Sequence, residues 1–440
     1  MSENYSVAVQ HLVKQGLAAH PPGGRIPSVE TVGRHLAHLA AQNPGLCHLR
    51  RVGSSRQGRA LDLLSIGQGE RSVLVVGGPH PNEPVGYATI TFLSTLLVER
   101  PELRRGASWH FLPCVDPDGA ALNSAWTSSE LDLALQHRYF FRPALAEQPE
   151  WTFPIAFGGE VFRFSLPETD ALAAVVDELR PAVTVSLHNS DFGAAFFILS
   201  RDEPDLAVEL SAAASLYGLA GGAMPTDTRG WHRSGPAAFV MPPADQLIIR
   251  DQDGDRPSHG SHCGHYAERY GTLTVMPEVP RWRVGTTVPG GRPAVLRAEA
   301  EQLGSALDQL AALHQLAGSP KRTSFGRGLA DTFAVAATLG QSLLQRAATG
   351  HPVSNEEAAD VAFTRVQLSL RAAGMLVREF EHQPPATAER AVTTQLAEAR
   401  RLLSSWAGEV QRELELTPYP LVDLVGLQAH TALATAARLT

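Results

Sequence analysis

Three short apolar runs limit what this chain can become: Ser72-Val-Leu-Val-Val-Gly-Gly78, Ala182-Val-Thr-Val-Ser-Leu-His188 and Gly271-Thr-Leu-Thr-Val-Met-Pro-Glu278-Val-Pro280. They are continuous rather than alternating, the pattern of strands buried on both faces. The first passes through a Gly-Gly turn into a helical stretch from Ala88 to Val98, the crossover unit of a parallel sheet. Each run closes on polar residues: His80 and Glu83 after the first, His188-Asn189-Ser190 at the second and Glu278 at the third. Open α/β sheets bind ligands beyond the carboxyl ends of their strands, so these residues mark the candidate site.

The turn His80-Pro-Asn-Glu83 offers a nitrogen and a carboxylate to one ion. Zinc accepts imidazole nitrogen at about 2.0–2.1 Å and carboxylate oxygen at about 2.0–2.2 Å, and a catalytic site needs three protein ligands with one place left for water. His188, at the end of a separate strand, is the candidate third ligand. Metal-assisted hydrolysis also needs a base for a water whose pKa falls towards about 7, and Glu278 is the candidate.

In this order the chain resembles the M14 zinc carboxypeptidases and their relatives, the succinylglutamate desuccinylases and aspartoacylases. The resemblance is carried by Ser55-x-x-Gly-Arg-x-Leu61, His80-Pro-Asn-Glu83, Asp116-Pro-Asp-Gly119, Ser186-Leu-His188 and the Glu278 segment, over roughly residues 50 to 285. It implies a mixed, mostly parallel central sheet flanked by helices. It also implies Zn2+ held by His80, Glu83 and His188, and zinc-bound water activated by Glu278. Two departures stand out: Asp116 replaces the Asn usual before Pro-Asp-Gly, and no Asn-Arg pair precedes the third ligand to clamp a terminal carboxylate. Arg142, in Tyr139-Phe-Phe-Arg-Pro143, is the candidate for polarising the scissile carbonyl, since a guanidinium fork can stabilise an oxyanion. Arg138, Asn189 and Tyr266 are further substrate-binding candidates, with Tyr270 an alternative phenol.

With 440 residues, 44% apolar and 19% charged, the chain can bury a large core and is neither disordered nor membranous in composition. A net charge of −8 without a Lys/Arg block argues against a nucleic-acid partner, and no apolar stretch is long enough for a membrane span. Cys47, Cys114 and Cys263 are odd in number and dispersed, and the first residues lack an export pattern, so a cytoplasmic location is expected.

Punctuation divides the chain into an N-terminal helical segment (1–45), a catalytic α/β domain (46–292) and an all-α C-terminal bundle (293–440). Ser28 caps a helix stopped by Asn43-Pro-Gly45. Beyond residue 293, Leu296, Ala300, Leu303, Leu307 and Leu310 lie on one helical face, as do Val392, Leu396, Ala399, Leu403, Trp406 and Val410. Ser354 and Glu357 form a capping box, Phe333–Leu344 is a further helix, and another follows Pro418-Tyr-Pro420. The apolar faces are read as core or interface, with the segment covering a sheet face or forming a homodimer. His259-Gly-Ser-His-Cys-Gly-His265 reads as a substrate-facing rim loop, and the acidic 251–255 stretch as a solvated turn. The expected activity is hydrolysis of an amide bond at a peptide C-terminus. Alternatives are an N-acyl amino acid deacylase and, in another class, a non-catalytic scaffold.

Overall fold

Among the described residues the apolar runs become the middle of an eleven-stranded mixed sheet, nine strands in the order β1-β2-β4-β3-β7-β12-β9-β11-β10 with β8 and β13 paired to β12 off that row. The structure, a computed structural model, describes residues 3–438 apart from 105, 221–224, 226–227, 251–255, 317–322 and 383–389. The expected acidic turn therefore lies outside the described residues. At one edge β1 (Cys47–Ser54) and β2 (Ala60–Ile66) pair antiparallel, and β2 joins β4 in the same sense. Next, β3 (Arg71–Val76), β4 (Ala107–Leu112), β7 (Val183–Ser186) and the start of β12 (Leu273–Arg283) run parallel. A separate hairpin consists of β5 (Ile155–Phe157) and β6 (Glu160–Phe162). The sheet is completed by β8 (His188–Phe192), β9 (Phe196–Leu199), β10 (His232–Gly235), β11 (Ala238–Val240) and β13 (Thr417–Pro418).

The third run does not stop at Glu278 as expected. The β7 pairing ends with the Leu187 amide donating to the Val76 carbonyl at 2.8 Å, and β12 runs on beside β8, placing Glu278 opposite His188 and Trp282 opposite Phe192. The base candidate is thus fixed by strand register rather than by a loop.

Helices cover both faces of the sheet. One layer holds α1 (Glu3–Ala19), α2 (Val29–Gln42), α3 (Val85–Glu99), the short α4 (Pro101–Arg104) and, from later in the chain, α8 (Pro204–Leu216). Ser28 caps α2 through the Thr31 amide at 3.2 Å, as its sequence indicates. Val9, Val13, Val32 and Leu36 lie in the same core as β3 and β7, so the N-terminal helices are part of the sheet's packing. Around the site are α5 (Pro117–Thr127), α6 (Leu133–Arg138), α7 (Pro167–Leu179) and α9 (Cys263–Ala267), the last two sharing a second core with Leu61, Leu74 and Val76.

The bundle is built from α10 (Ala294–Leu316), α11 (Ser324–Ala348), α12 (Asn355–Glu381) and α13 (Arg390–Glu413). Ser354 caps α12 through the Glu357 amide at 3.0 Å, but the Glu357 carboxylate turns to Arg346 instead of closing the box. The apolar stripes are buried within the chain: Leu296, Ala300 and Leu303 in one core, Val392, Ala399, Leu403 and Val410 in another shared with Phe140, Phe192 and Trp282. The last helix, α14 (Leu421–Ala437), departs from the expected 293–440 unit. Leu424, Val425, Leu427 and Leu433 pack in the sheet's main core against α3, so α10–α13 are an insertion between β12 and α14. Among the described residues no helix is long and apolar enough to cross a membrane.

Candidate metal centre

The turn after β3 carries His80 and Glu83 and is closed by the Glu83 amide donating to the His80 carbonyl at 3.0 Å. Its support is the Pro-Asp-Gly segment. Asp116 caps α5 through the Gly119 amide at 2.9 Å, and Asp118 accepts from Ser55 Oγ (2.7 Å), the Gln57 amide (2.9 Å) and Arg59 (2.7 Å). A Cβ at Gly119 would stand 2.7 Å from Pro81, so glycine is required for the turn to seat there. Two motifs far apart in sequence therefore form the floor under the metal-binding turn.

His188 stands among three carboxylates. Its Nδ1 is 2.9 Å from Glu83 Oε2 and 3.7 Å from Glu278 Oε1; its Nε2 is 3.2 Å from Glu150 Oε2. The rings of His80 and His188 are 5.0 Å apart, and His80 Nε2 faces Glu150 at 3.5 Å. His80, Glu150 and His188 bring one donor each within 4.8 Å of one another, as do Glu83, His188 and Glu278. His80, Glu83 and His188 are all at least nine-tenths buried. Burial and the neighbouring Arg142 push the His80 pKa down to about 3, which keeps its ring neutral. Burial opposes charge on Glu83, but the hydrogen bond and charge of His188 and the Arg142 guanidinium outweigh it and hold the carboxyl at about 2. Burial likewise opposes charge on His188, and Glu150 with Glu83 raises its pKa well above the ordinary range.

The His80–Glu150–His188 set and the Glu83–His188–Glu278 set, which share His188, could each hold a metal ion. An ionised carboxylate only accepts, so Glu150 favours hydrogen on the Nε2 atoms it faces. His80 Nδ1 is then left buried without a hydrogen-bond partner, while His188 Nδ1 lies 2.9 Å from Glu83.

Arg142 comes to this cluster. Its Nη1 donates to Glu83 Oε1 at 2.9 Å and its Nη2 to Gln148 at 3.5 Å, with the guanidinium half-buried. Asn189 also arrives, but as a brace: its amide donates to Glu83 Oε2 at 3.3 Å and its Oδ1 accepts from Val85 at 3.2 Å. That bond lets α3 start at Val85, ahead of the expected Ala88. Arg138 points elsewhere, its guanidinium held by both carboxylate oxygens of Glu381 on α12. Tyr266 donates to Asp177 of α7 at 2.8 Å and packs on Phe153, while Tyr270 shares Asp177, so neither phenol is directed at the cluster.

The histidine-rich loop is a correction. His259, His262 and Cys263 are buried, not at a rim, because His262 and Cys263 reach Glu150 Oε1 at 3.2 and 3.5 Å. Burial and the nearby Glu150 raise the Cys263 thiol well above its usual range, so it stays a donor.

Sequence reading missed Glu150 altogether. It lies in a single 3-10 turn, Pro149–Trp151, with neither periodicity nor an adjoining strand, and nothing in its spacing distinguishes it from Glu147. Ser186 Oγ also donates to it at 2.8 Å. Gln428 was missed for a different reason: it comes from α14, where it donates to the His188 carbonyl at 2.7 Å and accepts from Thr89 at 2.6 Å.

Residues 32–203 match the zinc carboxypeptidase family, peptidase M14. No curated protein matches the chain. Among solved structures it is similar to carboxypeptidase A from Helicoverpa armigera, at 15% identity over 79% of this chain and 80% of that one, with a TM-score of 0.39. It is also similar to a metallo-carboxypeptidase from Burkholderia cenocepacia, at 15% identity over 58% and 60% of the two chains, with a TM-score of 0.35. The matched segment contains His80, Glu83, Glu150 and His188, while Glu278 lies beyond it and arrives by β12. Over residues 32–203 the chain thus matches the zinc carboxypeptidase domain of peptidase M14, a family of metal-dependent hydrolases.

Proposed function

We propose that the protein is a zinc-dependent hydrolase of amide bonds that releases the C-terminal residue of a peptide. The supporting observation is the convergence on His188 Nδ1 of two carboxylates with different surroundings: Glu83 at 2.9 Å, buried and paired with Arg142, and Glu278 at 3.7 Å. One suits a ligand and the other a base.

His80, Glu83 and His188 would hold the metal. Zinc in such a site supplies Lewis acidity and a water whose pKa falls to about 7. Glu278, held on β12 opposite His188, would be the base that accepts a proton from water at the site and returns it to the departing nitrogen. Arg142 presents a fixed positive charge to the oxygen on which negative charge develops, and its bond to Glu83 sets where that charge sits. Glu150 and Asn189 keep the ligands oriented from behind.

A second reading is an N-acyl amino acid deacylase, supported by the lack of an Asn-Arg pair between Pro117-Asp-Gly119 and His188. The zinc-loaded protein should be offered a peptide mixture and a panel of N-acyl amino acids. Release of free C-terminal residues supports the first reading; release of the acyl acid alone replaces it with the second. Glu278→Gln should keep one zinc per chain and lose turnover by about 10²–10⁴-fold, the usual worth of a positioned base. A fully active variant would refute the assignment of the base.

A further inference from the structure

The helical insertion does more than cover the sheet. Between α6 and the turn that carries Glu150 run residues 139–148, irregular around Arg142 and then one 3-10 turn, Leu145–Glu147. Such a stretch needs outside partners for its backbone groups, or it moves. Here α11 and α12 supply them. Arg378 of α12 donates to the Tyr139 carbonyl at 2.8 Å, and Asp331 of α11 accepts from the Leu145 amide at 2.5 Å. Arg327 of α11 pairs with Glu147 at 2.5 Å. Two helical glycines allow this approach: a Cβ at Gly328 would overlap the Arg142 carbonyl, and one at Gly374 would overlap the carbonyl of His137 in the last turn of α6.

We propose that the α11–α12 face is the seat of Arg142, and that Gly328 is a positioning residue acting through that arginine. The inference rests on Arg142 facing the substrate, as in the proposed function. The α/β domain provides Glu83 for the far end of the side chain and Asn123 of α5, which holds both backbone groups of Phe141 at 2.8 and 3.0 Å. The insertion provides the surface against the Arg142 carbonyl itself, at Gly328. A misplacement of about 1 Å at a charge-stabilising group costs roughly 100-fold in rate, so a helix surface in contact with the Arg142 carbonyl sets activity from a distance.

The test is a double-mutant cycle on the full-length, zinc-loaded chain with Gly328→Ala, Arg142→Ala and the combination. Gly328→Ala should lower kcat by roughly 10- to 100-fold with zinc content unchanged. It should cost nothing further once Arg142 is gone, because its effect passes through that side chain. Additive losses, or wild-type kcat in Gly328→Ala, overturn the proposal. Asp331→Ala, which removes the Leu145 bond without adding volume, guards against a variant that fails to fold. By hydrogen exchange it should speed labelling within residues 139–147 while leaving β3 and β7 protected. Unchanged labelling there overturns the seat even if the wild-type protein cleaves no amide at all. Absence of wild-type activity would refute the proposed function alone, and the exchange result would still decide the seat.

Discussion

Replacing Glu150 by glutamine changes almost no volume and should nevertheless disable the metal site. The carboxylate meets Ser186 at 2.8 Å, His262 at 3.2 Å, His188 Nε2 at 3.3 Å and Cys263 at 3.5 Å on Oε1, while Oε2, with no hydrogen bond of its own, lies 3.2 Å from His188 Nε2 and 3.5 Å from His80 Nε2. In Glu150→Gln the donors at the first oxygen favour keeping the amide oxygen there. The NH2 group then takes the second position, beside both imidazoles. A donor opposite Nε2 favours a lone pair on that atom and moves the ring hydrogen to Nδ1, the atom needed for metal. Loss of one partner behind a ligating histidine typically costs about 10–100-fold in metal affinity. Because Glu150 serves both rings, the upper end applies: about 100-fold, or about 2.8 kcal/mol. Competition with a chromogenic chelator at neutral pH measures this directly, with circular dichroism of the metal-free protein confirming the fold. Zinc affinity within threefold of wild type would refute the reasoning and show that the Nε2 contacts do not set the tautomers.

His188→Ala removes the imidazole between Glu83 and Glu150 and should weaken zinc by at least roughly 100-fold, taking about 3 kcal/mol per ligand from the strength of four-ligand zinc sites; elemental analysis after dialysis reads it. His430 on α14 gives a pH prediction of known sign. It is buried with neither ring nitrogen hydrogen-bonded, and burial pushes its pKa down to about 4. The unfolded chain, with a histidine pKa of about 6.5, binds the proton more readily, so stability present above that value is lost as pH falls through about 4. Between pH 7 and 4.5 His430→Leu should lose roughly 2–3 kcal/mol less stability in urea than the wild type. Equal losses would show that His430 is not buried neutral.

Much of the architecture was legible because it is written in local patterns. Ser72–Gly78, Ala182–His188 and Gly271–Glu278 are apolar on successive residues, which only doubly covered strands tolerate, and they form the parallel centre of the sheet. Ser28 and Ser354 begin helices because a side-chain oxygen there meets an amide three residues on, a contact that needs no tertiary information. His80 with Glu83, His188 and Glu278 were visible for the same reason, each sitting at or just beyond an apolar run.

Other features depend on encounters between distant segments. Glu150 acquires its place from five neighbours contributed by His80, Ser186, His188, His262 and Cys263. Arg138 and Arg142 are four residues apart and equally cationic, yet one meets Glu381 and the other Glu83. The periodicity of α14 cannot say which apolar surface it covers, since burial is non-directional, and the fold assigns it to the sheet rather than the bundle. Periodicity and capping are short-range, so the order of residues settles strands, helices and the ends where chemistry can sit. Partners of charged side chains are long-range, so which carboxylate orients, which binds and which arginine is left for substrate is settled only when the chain closes on itself.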